Sequence, residues 1–224
     1  MNKTIVVTGG TKGIGRAIVE KFAAEGFTVL TCARTSEDNF PQNVHFFKAD
    51  LSKKEEVLAF ANFVKQTVSQ VDVLVNNTGF FLPGEIHNEA EGTLEAMIET
   101  NLYSAYHLTR ALVGGMISEK QGHIFNICST ASITAYTNGG SYCISKFAML
   151  GMSKVLREEL KSHQVRVTSI LPGATLTDSW AGVELPAERF IASDDIAQIV
   201  WTAHNLPATT VLEEILVRPQ LGDL

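Results

Sequence analysis

Short runs of apolar and β-branched residues alternate along the chain with longer stretches in which apolar residues recur every three to four positions. The short runs predict buried strands, and the longer stretches predict amphipathic helices. Residues 53–68 show the helical period most clearly, through Val57, Phe60, Ala61 and Val64. A regular alternation of strands and helices is typical of a parallel sheet with helices on both faces.

The pattern predicts seven strands and five helices. The strands are predicted at residues 4–8, 28–33, 44–48, 71–75, 122–128, 165–171 and 214–218, and the helices at residues 14–25, 53–68, 93–118, 141–163 and 192–206. Because no linker, repeat or low-complexity segment interrupts the sequence, residues 1–224 are expected to form a single doubly wound α/β Rossmann domain. Right-handed crossovers predict a parallel sheet with the strand order 3-2-1-4-5-6-7.

Composition and charge narrow the classes of function. A formal charge of −6 without a basic stripe argues against binding to nucleic acid. Cys32, Cys128 and Cys143 lack metal-ligand spacing and the six histidines are scattered, so we expect reduced thiols and no metal site. The chain runs directly into its first strand and lacks an apolar run of roughly eighteen residues, which predicts a cytoplasmic protein that does not enter a membrane.

Tyr142 and Lys146 lie four residues apart in a predicted helix, and Ser129 precedes Tyr142 by 13 residues. Positions i and i+4 share one helix face, so the ammonium of Lys146 can approach the phenol of Tyr142. A nearby cation favours a phenolate, which makes tyrosine a usable acid or base near neutral pH. Because the same spacing occurs by chance in many helices, it indicates a catalytic pair only when a second, independent motif accompanies it.

A glycine-rich turn supplies that second signature. Gly9, Gly13 and Gly15 follow the first strand and open the first helix. Glycines at these positions permit a tight turn and a close approach of the backbone to a pyrophosphate at the helix N-terminus. The order of strand, turn and helix is the context that a dinucleotide-binding motif requires.

Together these patterns resemble the short-chain dehydrogenase/reductase family over nearly the whole chain. The matching segments are Thr-Gly-x-x-x-Gly-x-Gly at residues 8–15, Asn-Asn-Thr-Gly at residues 76–79 with threonine for the usual alanine, Asn101, the serine, tyrosine and lysine already named, and Pro172-Gly173. The resemblance implies that Ser129, Tyr142, Lys146 and Asn101 are catalytic. It also implies a set of residues that bind the cofactor, namely Gly9, Thr11, Lys12, Gly13, Ile14, Gly15, Arg34, Asp50, Leu51, Asn77, Gly79, Tyr142, Lys146, Pro172, Gly173 and Thr177.

The resemblance also implies a role for each catalytic residue. Tyr142 would be the general acid in carbonyl reduction and the base in the reverse direction, while Lys146 tunes it and holds the nicotinamide ribose. Ser129 would donate a hydrogen bond to the substrate oxygen, and Asn101 would hold a water that relays protons to Lys146. Two alternatives stay open, because Asn101 could be a polar residue that kinks or caps a helix, and Ser129 a strand-end hydroxyl bonded to the backbone.

The end of the second strand predicts a preference for NADP(H). Ala33 stands where NAD-specific relatives carry an acid, and Arg34 follows it. The guanidinium of Arg34 could bind a 2′-phosphate as a fork, and Lys12 could add a second positive charge. The alternative is that Arg34 is a solvated surface residue. Asp50 matches an adenine-contacting aspartate of the family, but with Ser52 it could equally cap the next helix.

The substrate is expected to be a small or medium carbonyl compound in a mainly apolar pocket, although the same side chains could simply be core. The predicted lining consists of Phe80, Phe81, Leu82, residues 130–133, Tyr136 and Trp180. Residues 176–192 are expected to form a short lid.

Three functions fit this pattern. An NADP(H)-dependent oxidoreductase that interconverts a carbonyl and an alcohol is favoured, because a protein without activity need not keep all four catalytic residues. A 3-oxoacyl-carrier-protein reductase is the alternative enzyme, but the C-terminal residues 215–219 look more like sepiapterin-reductase-like and 3-hydroxy-acid-dehydrogenase-like members. A catalytically silent NADP-binding sensor is the alternative of another class. The family commonly pairs its fourth and fifth long helices, and residues 102–116 and 147–160 are rich in small and apolar residues, so we expect a homodimer or homotetramer.

Overall fold

The computed structural model describes residues 3–36, 39–180, 182 and 184–224. The strands are β1 (Thr4–Thr8), β2 (Thr28–Ala33), β3 (Val44–Lys48), β4 (Val73–Asn76), β5 (Gly122–Ile127), β6 (Val165–Pro172) and β7 (Glu214–Val217). The α-helices are α1 (Gly13–Ala24), α2 (Lys54–Thr67), α3 (Thr93–Ile98), α4 (Ser104–Glu119), α5 (Gly140–Leu160) and α6 (Ser193–His204). Short 3₁₀ turns lie at Thr130–Ser132, Lys161–His163, Asp178–Trp180 and Ala187–Arg189.

The strands form one parallel seven-stranded sheet in the order β3-β2-β1-β4-β5-β6-β7, as predicted. β1 pairs with both β2 and β4, so that Val6 lies opposite Leu30 on one side and Leu74 on the other. The strand order therefore reverses beside β1. A crevice for a ligand is expected at the carboxyl ends of the strands around this reversal.

Helices cover both faces of the sheet. Alternate side chains of a strand point to opposite faces, so Ile5 and Val7 join the apolar cluster beneath α1 and α6, whereas Val6 joins the cluster beneath α2 and α4. A third, smaller cluster includes Met149 and Leu150 of α5. The five inner strands are buried on both faces, which explains why they read as nearly continuous apolar runs, whereas the edge strands β3 and β7 are partly exposed.

The helical stretch predicted at residues 93–118 is present, but a π-helical turn at Glu99–Tyr103 that was not predicted divides it into α3 and α4. Asn101 lies in this turn and is only 1% exposed, with its side chain turned towards the loop that follows β4. A π turn replaces the i→i+4 hydrogen bonds of an α-helix with i→i+5 bonds, and this changes the direction in which its side chains point. Such turns are frequent at functional sites.

The predicted start of β4 at residue 71 is wrong, because the strand begins at Val73. Asp72, which precedes it, accepts the backbone N–H of Thr4 with its carboxylate at 2.7 Å. At the other end, β4 extends to Asn76, which pairs with Asn126 of β5. The strand is thus shifted towards the edge of the sheet where the candidate site lies.

Candidate active site

The ends of β1 and β4 are joined through the side chain of Thr8. Its Oγ1 accepts the backbone N–H groups of Asn77 at 2.9 Å and Thr78 at 3.0 Å. The side-chain amide of Asn77 returns a hydrogen bond to the carbonyl of Thr8 at 2.9 Å. These bonds fix the position of the Asn-Asn-Thr-Gly segment relative to the glycine-rich turn.

The glycine-rich turn forms a cradle in which side chains would clash. A Cβ on Gly15 would overlap the carbonyl oxygen of Gly9, and one on Gly13, which has φ +50°, would lie 2.9 Å from Cγ2 of Thr177. Lys12 is the N-cap of α1, and within the described residues no side chain caps this helix terminus. A glycine cradle beside open backbone N–H groups fits the pyrophosphate of a dinucleotide.

Other residues of the predicted cofactor set surround this cradle in different ways. Thr11 is buried and Ile14 packs partly against the core beneath α1. The side chain of Leu51 lies in the core beneath α2, so only its backbone is available to a ligand.

Lys146 and Tyr142 share one face of α5, as their spacing predicts. Lys146 is 6% exposed, and its Nζ donates to the carbonyl oxygen of Ile127 at 2.9 Å. The same Nζ lies 5.8 Å from the ring centroid of Tyr142. Phe81 packs against the same ring in a T-shaped arrangement, at 4.9 Å between centroids. The phenol ring therefore has both an ammonium and an aromatic side chain close to it.

Ser129 follows β5 and caps the 3₁₀ turn at Thr130–Ser132. Its Oγ accepts the backbone N–H of Ala131 at 3.1 Å, and its own N–H donates to Oγ of Ser132 at 3.2 Å. This backbone contact is the alternative that the sequence left open. Since a hydroxyl has two acceptor lone pairs and one donor, the contact leaves the O–H of Ser129 able to donate to a substrate oxygen.

Asn101 connects three parts of the site. Its Oδ1 accepts the N–H of Phe80 at 2.9 Å, and its Nδ2 donates to the carbonyl of Phe80 and to Oγ of Ser145, each at 3.0 Å. A Cβ on Gly79 would lie 3.2 Å from Oδ1 of Asn101 and 3.7 Å from Nζ of Lys146, so the two polar atoms face the same space. Asn101 is thus both the polar residue of a helix irregularity and a neighbour of Lys146.

The residues predicted at the adenosine end lie at the carboxyl ends of β2 and β3. Arg34 is exposed just after β2. The carboxylate of Asp50 accepts the N–H and the hydroxyl of Ser52 at 3.1 and 2.8 Å. Partial burial would raise the pKa of Asp50, but the bonds from Ser52 and the charges of Arg34 and Lys53 outweigh it and lower that pKa. Arg34 and Asp50 are therefore close enough to interact electrostatically.

The segment after β6 reaches back to the glycine-rich turn. Pro172 pairs with Val217 of β7, and Gly173 donates its N–H to the same residue at 2.8 Å. Further along, Asp178 forms an ion pair with Lys12 at 2.8 Å. The predicted lid at residues 176–192 contains two 3₁₀ turns, and its residues 181 and 183 lie outside the described part of the chain. Within the lid, the rings of Trp180 and Phe190 meet edge-to-face at 5.2 Å.

A groove of about 580 Å³ lies beside α5, but it differs from the predicted pocket. Of the predicted lining residues, only Tyr136 borders it; its other walls are Glu85, Ile86, Ala135, Thr137, Asn138, Gly140, Cys143, Ile144 and Phe147. Burial raises the pKa of Tyr136, and the neighbouring Tyr142 and Cys143 raise it further. Phe81 and Leu82 are exposed near this region. The loop before α5 forms most of the wall of this groove, and the substrate lining expected around the strand ends stays a prediction.

Sequence reasoning missed two contacts at α5, the helix that carries Tyr142 and Lys146. Ser145 receives the bond from Asn101, and Glu89 binds the first turn of α5 through Ser141. A signal for the second contact was present: α5 begins at Gly139-Gly140, and Gly139 has no side chain with which to cap it. A helix without a local cap must satisfy its first N–H groups by other means, and here a carboxylate from elsewhere in the chain does so.

The remaining features of the described part of the chain concern metal-ion sites, membrane-spanning helices and reactive cysteines. It contains no group of three or more His, Cys, Asp or Glu residues placed to hold a metal ion, and none of its helices is both long and apolar enough to cross a bilayer. The three cysteines are free and buried. Burial raises the pKa of the Cys32 and Cys128 thiols, so neither forms a reactive thiolate readily.

Comparison with known proteins gives consistent matches over the whole chain. A family model described as short chain dehydrogenase matches residues 3–186. Sepiapterin reductase from Chlorobaculum tepidum is 32% identical over 100% of this chain and 99% of its own length. An NADP-dependent 3-hydroxy acid dehydrogenase from Escherichia coli K12 is 29% identical over 96% of this chain and 94% of its own. The crystal structure of a metagenomic short-chain oxidoreductase in complex with NADP is 32% identical, covers 97% of each chain and has a TM-score of 0.82.

Proposed function

We propose a function from the premise that the chain belongs to the short chain dehydrogenase family. The protein is an NADP(H)-dependent oxidoreductase that interconverts a carbonyl compound and an alcohol. The observation that carries this proposal is the buried ammonium of Lys146, held on the carbonyl of Ile127 beneath the ring of Tyr142. The NADP complex of the metagenomic relative and the NADP dependence of the E. coli relative support the choice of cofactor.

The cradle around Gly9, Gly13 and Gly15 would receive the pyrophosphate of NADP(H), with the N-terminus of α1 pointing at it. Arg34 would bind the 2′-phosphate through its guanidinium fork, because no acid occupies position 33 to repel that phosphate. Thr177, which contacts Gly13, would close the cradle from the side of the lid at residues 176–192. When bound, the nicotinamide supplies the hydride.

Tyr142 would hold the proton that reaches the substrate oxygen during carbonyl reduction and would accept it again in alcohol oxidation. The ammonium of Lys146 stabilises the negative charge that remains on the phenol oxygen after proton transfer. Ser129 keeps its O–H free to donate to the same substrate oxygen as charge develops there. Phe81 limits the rotation of the Tyr142 ring and keeps water from one side of it.

Asn101 would take part in returning protons to Lys146. Its Oδ1 uses one lone pair for the N–H of Phe80 and keeps a second, which faces the space above Gly79 shared with Nζ of Lys146. A water in this space could accept a hydrogen bond from Nζ of Lys146 and donate one to Oδ1. After Lys146 has passed a proton to the phenolate of Tyr142, this water would give a proton to the neutral amine, and solvent would supply the proton that the water loses.

The experiment that tests the proposal is NADPH oxidation with a panel of small ketones, diketones, 3-oxo acid esters and acetoacetyl thioesters. Turnover of free ketones, diketones or 3-oxo acid esters, lost in Tyr142→Phe, is the expected result. A strong preference for the thioesters would instead assign a 3-oxoacyl-carrier-protein reductase. NADPH binding without turnover of any compound would identify a catalytically silent sensor and overturn the proposal.

The protein would act as a homodimer or homotetramer through α4 and α5. Tyr106 on α4 and Phe147 and Val155 on α5 are large side chains that remain exposed. Near them, a Cβ built on Gly115 or Gly151 meets open space within the described part of the chain. Apolar side chains next to uncovered glycines allow two helix pairs to approach closely. Light scattering at micromolar concentration should report at least a dimer, and a monomer would refute this assembly.

A further inference from the structure

Glu89 binds the first turn of the catalytic helix from the segment between β4 and α3. Its Oε1 accepts the backbone N–H of Ser141 at 2.9 Å, and its Oε2 accepts the hydroxyl of the same serine in a short hydrogen bond. Ser141 is the second residue of α5, is 2% exposed and directly precedes Tyr142. The carboxylate of Glu89 therefore binds both the N–H and the hydroxyl of Ser141, the residue next to Tyr142.

The backbone around this contact leaves no room for a larger residue. A Cβ on Gly140 would overlap Oε1 of Glu89 and would lie 2.6 Å from the carbonyl oxygen of Gly84. Gly84 also donates its N–H to the carbonyl of Asn138 at 3.1 Å and pairs with Gly139 in a parallel bridge. The segment that carries Glu89 thus lies directly against the start of α5.

The same segment is anchored at its other end by Asn101, which binds both backbone groups of Phe80. Between the two anchors, Phe81 contacts the ring of Tyr142. The distance between Asn101 and Ser141 is therefore bridged by residues 80–89, and the ring of Tyr142 packs against this bridge. A change at the Glu89 anchor would reach Tyr142 through the helix start and through Phe81.

We propose that Glu89 is a positioning residue for the carbonyl and alcohol reaction, an inference that rests on the function proposed above. Its carboxylate replaces the missing local cap of α5 and sets where the phenol of Tyr142 stands relative to the substrate. An anion suits this place, because it accepts two hydrogen bonds at once and faces the positive end of the helix dipole. Glu89 touches neither substrate nor cofactor in this role.

Removal of the anchor should lower the rate more than it lowers cofactor binding. A misplacement of about 1 Å at a reacting group can reduce a rate by about a hundredfold. The glycine cradle lies between β1 and α1, whereas the carboxylate of Glu89 binds Ser141 at the start of α5. We expect Glu89→Ala to reduce kcat by about tenfold or more while the Kd for NADPH stays within about twofold.

The experiment compares Glu89→Ala, Glu89→Gln and the matched control Glu91→Ala, which changes an exposed acid on the same segment. Each variant is assayed for kcat and KM with the best carbonyl compound of the panel, for NADPH affinity by fluorescence titration, and for hydrogen exchange of the amides at residues 141–145. Glutamine keeps an acceptor for the N–H of Ser141, so Glu89→Gln should regain most of the kcat that Glu89→Ala loses. Exchange should accelerate in Glu89→Ala and remain unchanged in Glu91→Ala.

Three outcomes would overturn the inference. The first is a Glu89→Ala variant with parental kcat. The second is a Glu89→Gln variant as slow as Glu89→Ala, which would show that an acceptor for the N–H of Ser141 does not support the rate. The third is a parallel loss of kcat and NADPH affinity, which would indicate general destabilisation. If the parent protein reduced none of the carbonyl compounds, the proposed function would be wrong. In that case, unchanged hydrogen exchange at residues 141–145 in Glu89→Ala would show separately that Glu89 does not hold the start of α5.

Discussion

The Nζ of Lys12 lies 2.8 Å from Oδ2 of Asp178 and joins the glycine-rich turn to the segment after β6. Both side chains are largely exposed, so the pair contributes little to the stability of the fold. Its effect is local, because Lys12 stands beside the cradle that would receive the cofactor phosphates. Asp178 and a phosphate of the cofactor would compete for the same ammonium.

Asp178→Asn should therefore strengthen the binding of NADPH. Removal of one exposed negative charge should lower the Kd by about two- to fivefold, and the effect should fade as salt rises. Fluorescence titration at low and high ionic strength measures it, with Glu188→Gln as the control in the same lid. A higher Kd in Asp178→Asn would mean that the ion pair holds the lid in the binding conformation instead.

The end of β2 should determine the choice between NADP(H) and NAD(H). A guanidinium fork on the 2′-phosphate gives charge-assisted hydrogen bonds, so kcat/KM should favour NADP(H) by about ten- to a hundredfold. The double substitution Ala33→Asp and Arg34→Ser should reverse the preference, because an acid binds the ribose hydroxyls and repels the phosphate. Equal use of both cofactors by the parent would show that Arg34 points into solvent.

Tyr142→Phe should abolish turnover and leave NADPH binding nearly unchanged. Phenylalanine keeps the ring close to Lys146 and Phe81 and removes only the hydroxyl. General acid catalysis contributes at least about a hundredfold, so kcat should fall by that factor or more. The measurement pairs kcat with a cofactor titration. A variant that keeps more than about a tenth of the parental rate would contradict the role of Tyr142.

His204 should make the protein less stable in acid. Burial, with the charges of Lys3 and Arg166, lowers the pKa of His204 to about 4 from an ordinary value of 6.5. The unfolded chain therefore binds a proton first as the pH falls, so stability is complete above about pH 6.5 and is lost as the pH falls towards 4. The free energy of unfolding should fall by about 2 kcal/mol from this residue between pH 7 and pH 5.

His204→Leu is the variant that tests this dependence. Neither ring nitrogen of His204 has a hydrogen-bond partner among the described residues, so leucine should cost little at pH 7. Urea unfolding at pH 7 and pH 5 should show that the free energy of unfolding falls less in the variant than in the parent. Some loss should remain, because burial also lowers the pKa of His123 well below its ordinary value. An identical loss in both proteins would exclude His204 as a source.

Much of the fold follows from local sequence patterns. The seven strands and their order were predictable because apolar periodicity identifies each element, and right-handed crossovers in a doubly wound sheet favour this order. The placement of Gly15 in a tight turn and of Lys146 beside Tyr142 was also predictable, because neighbours in sequence determine both positions. The π turn around Asn101 was not predictable, because it depends on a partner, Phe80, that lies 21 residues away.

Contacts between distant segments account for the rest of what the sequence did not reveal. Ser141 and Glu89 are 52 residues apart, and Lys12 and Asp178 are 166 residues apart. No periodicity or motif connects such residues, and their approach follows only from how the loops pack after the sheet has formed. The roles of single polar residues in the loops therefore required the structure.

The bonds from Thr8 to the start of the Asn-Asn-Thr-Gly segment have a consequence for the entropy of binding. They tie two strand ends together by contacts within the protein itself, so the backbone of the crevice is in place before a ligand arrives. Little of the binding free energy is then used to order the main chain. In the binding mode proposed above, the groups that would become ordered are exposed side chains such as Arg34 and Lys12, so phosphate recognition would carry most of the entropy cost of association.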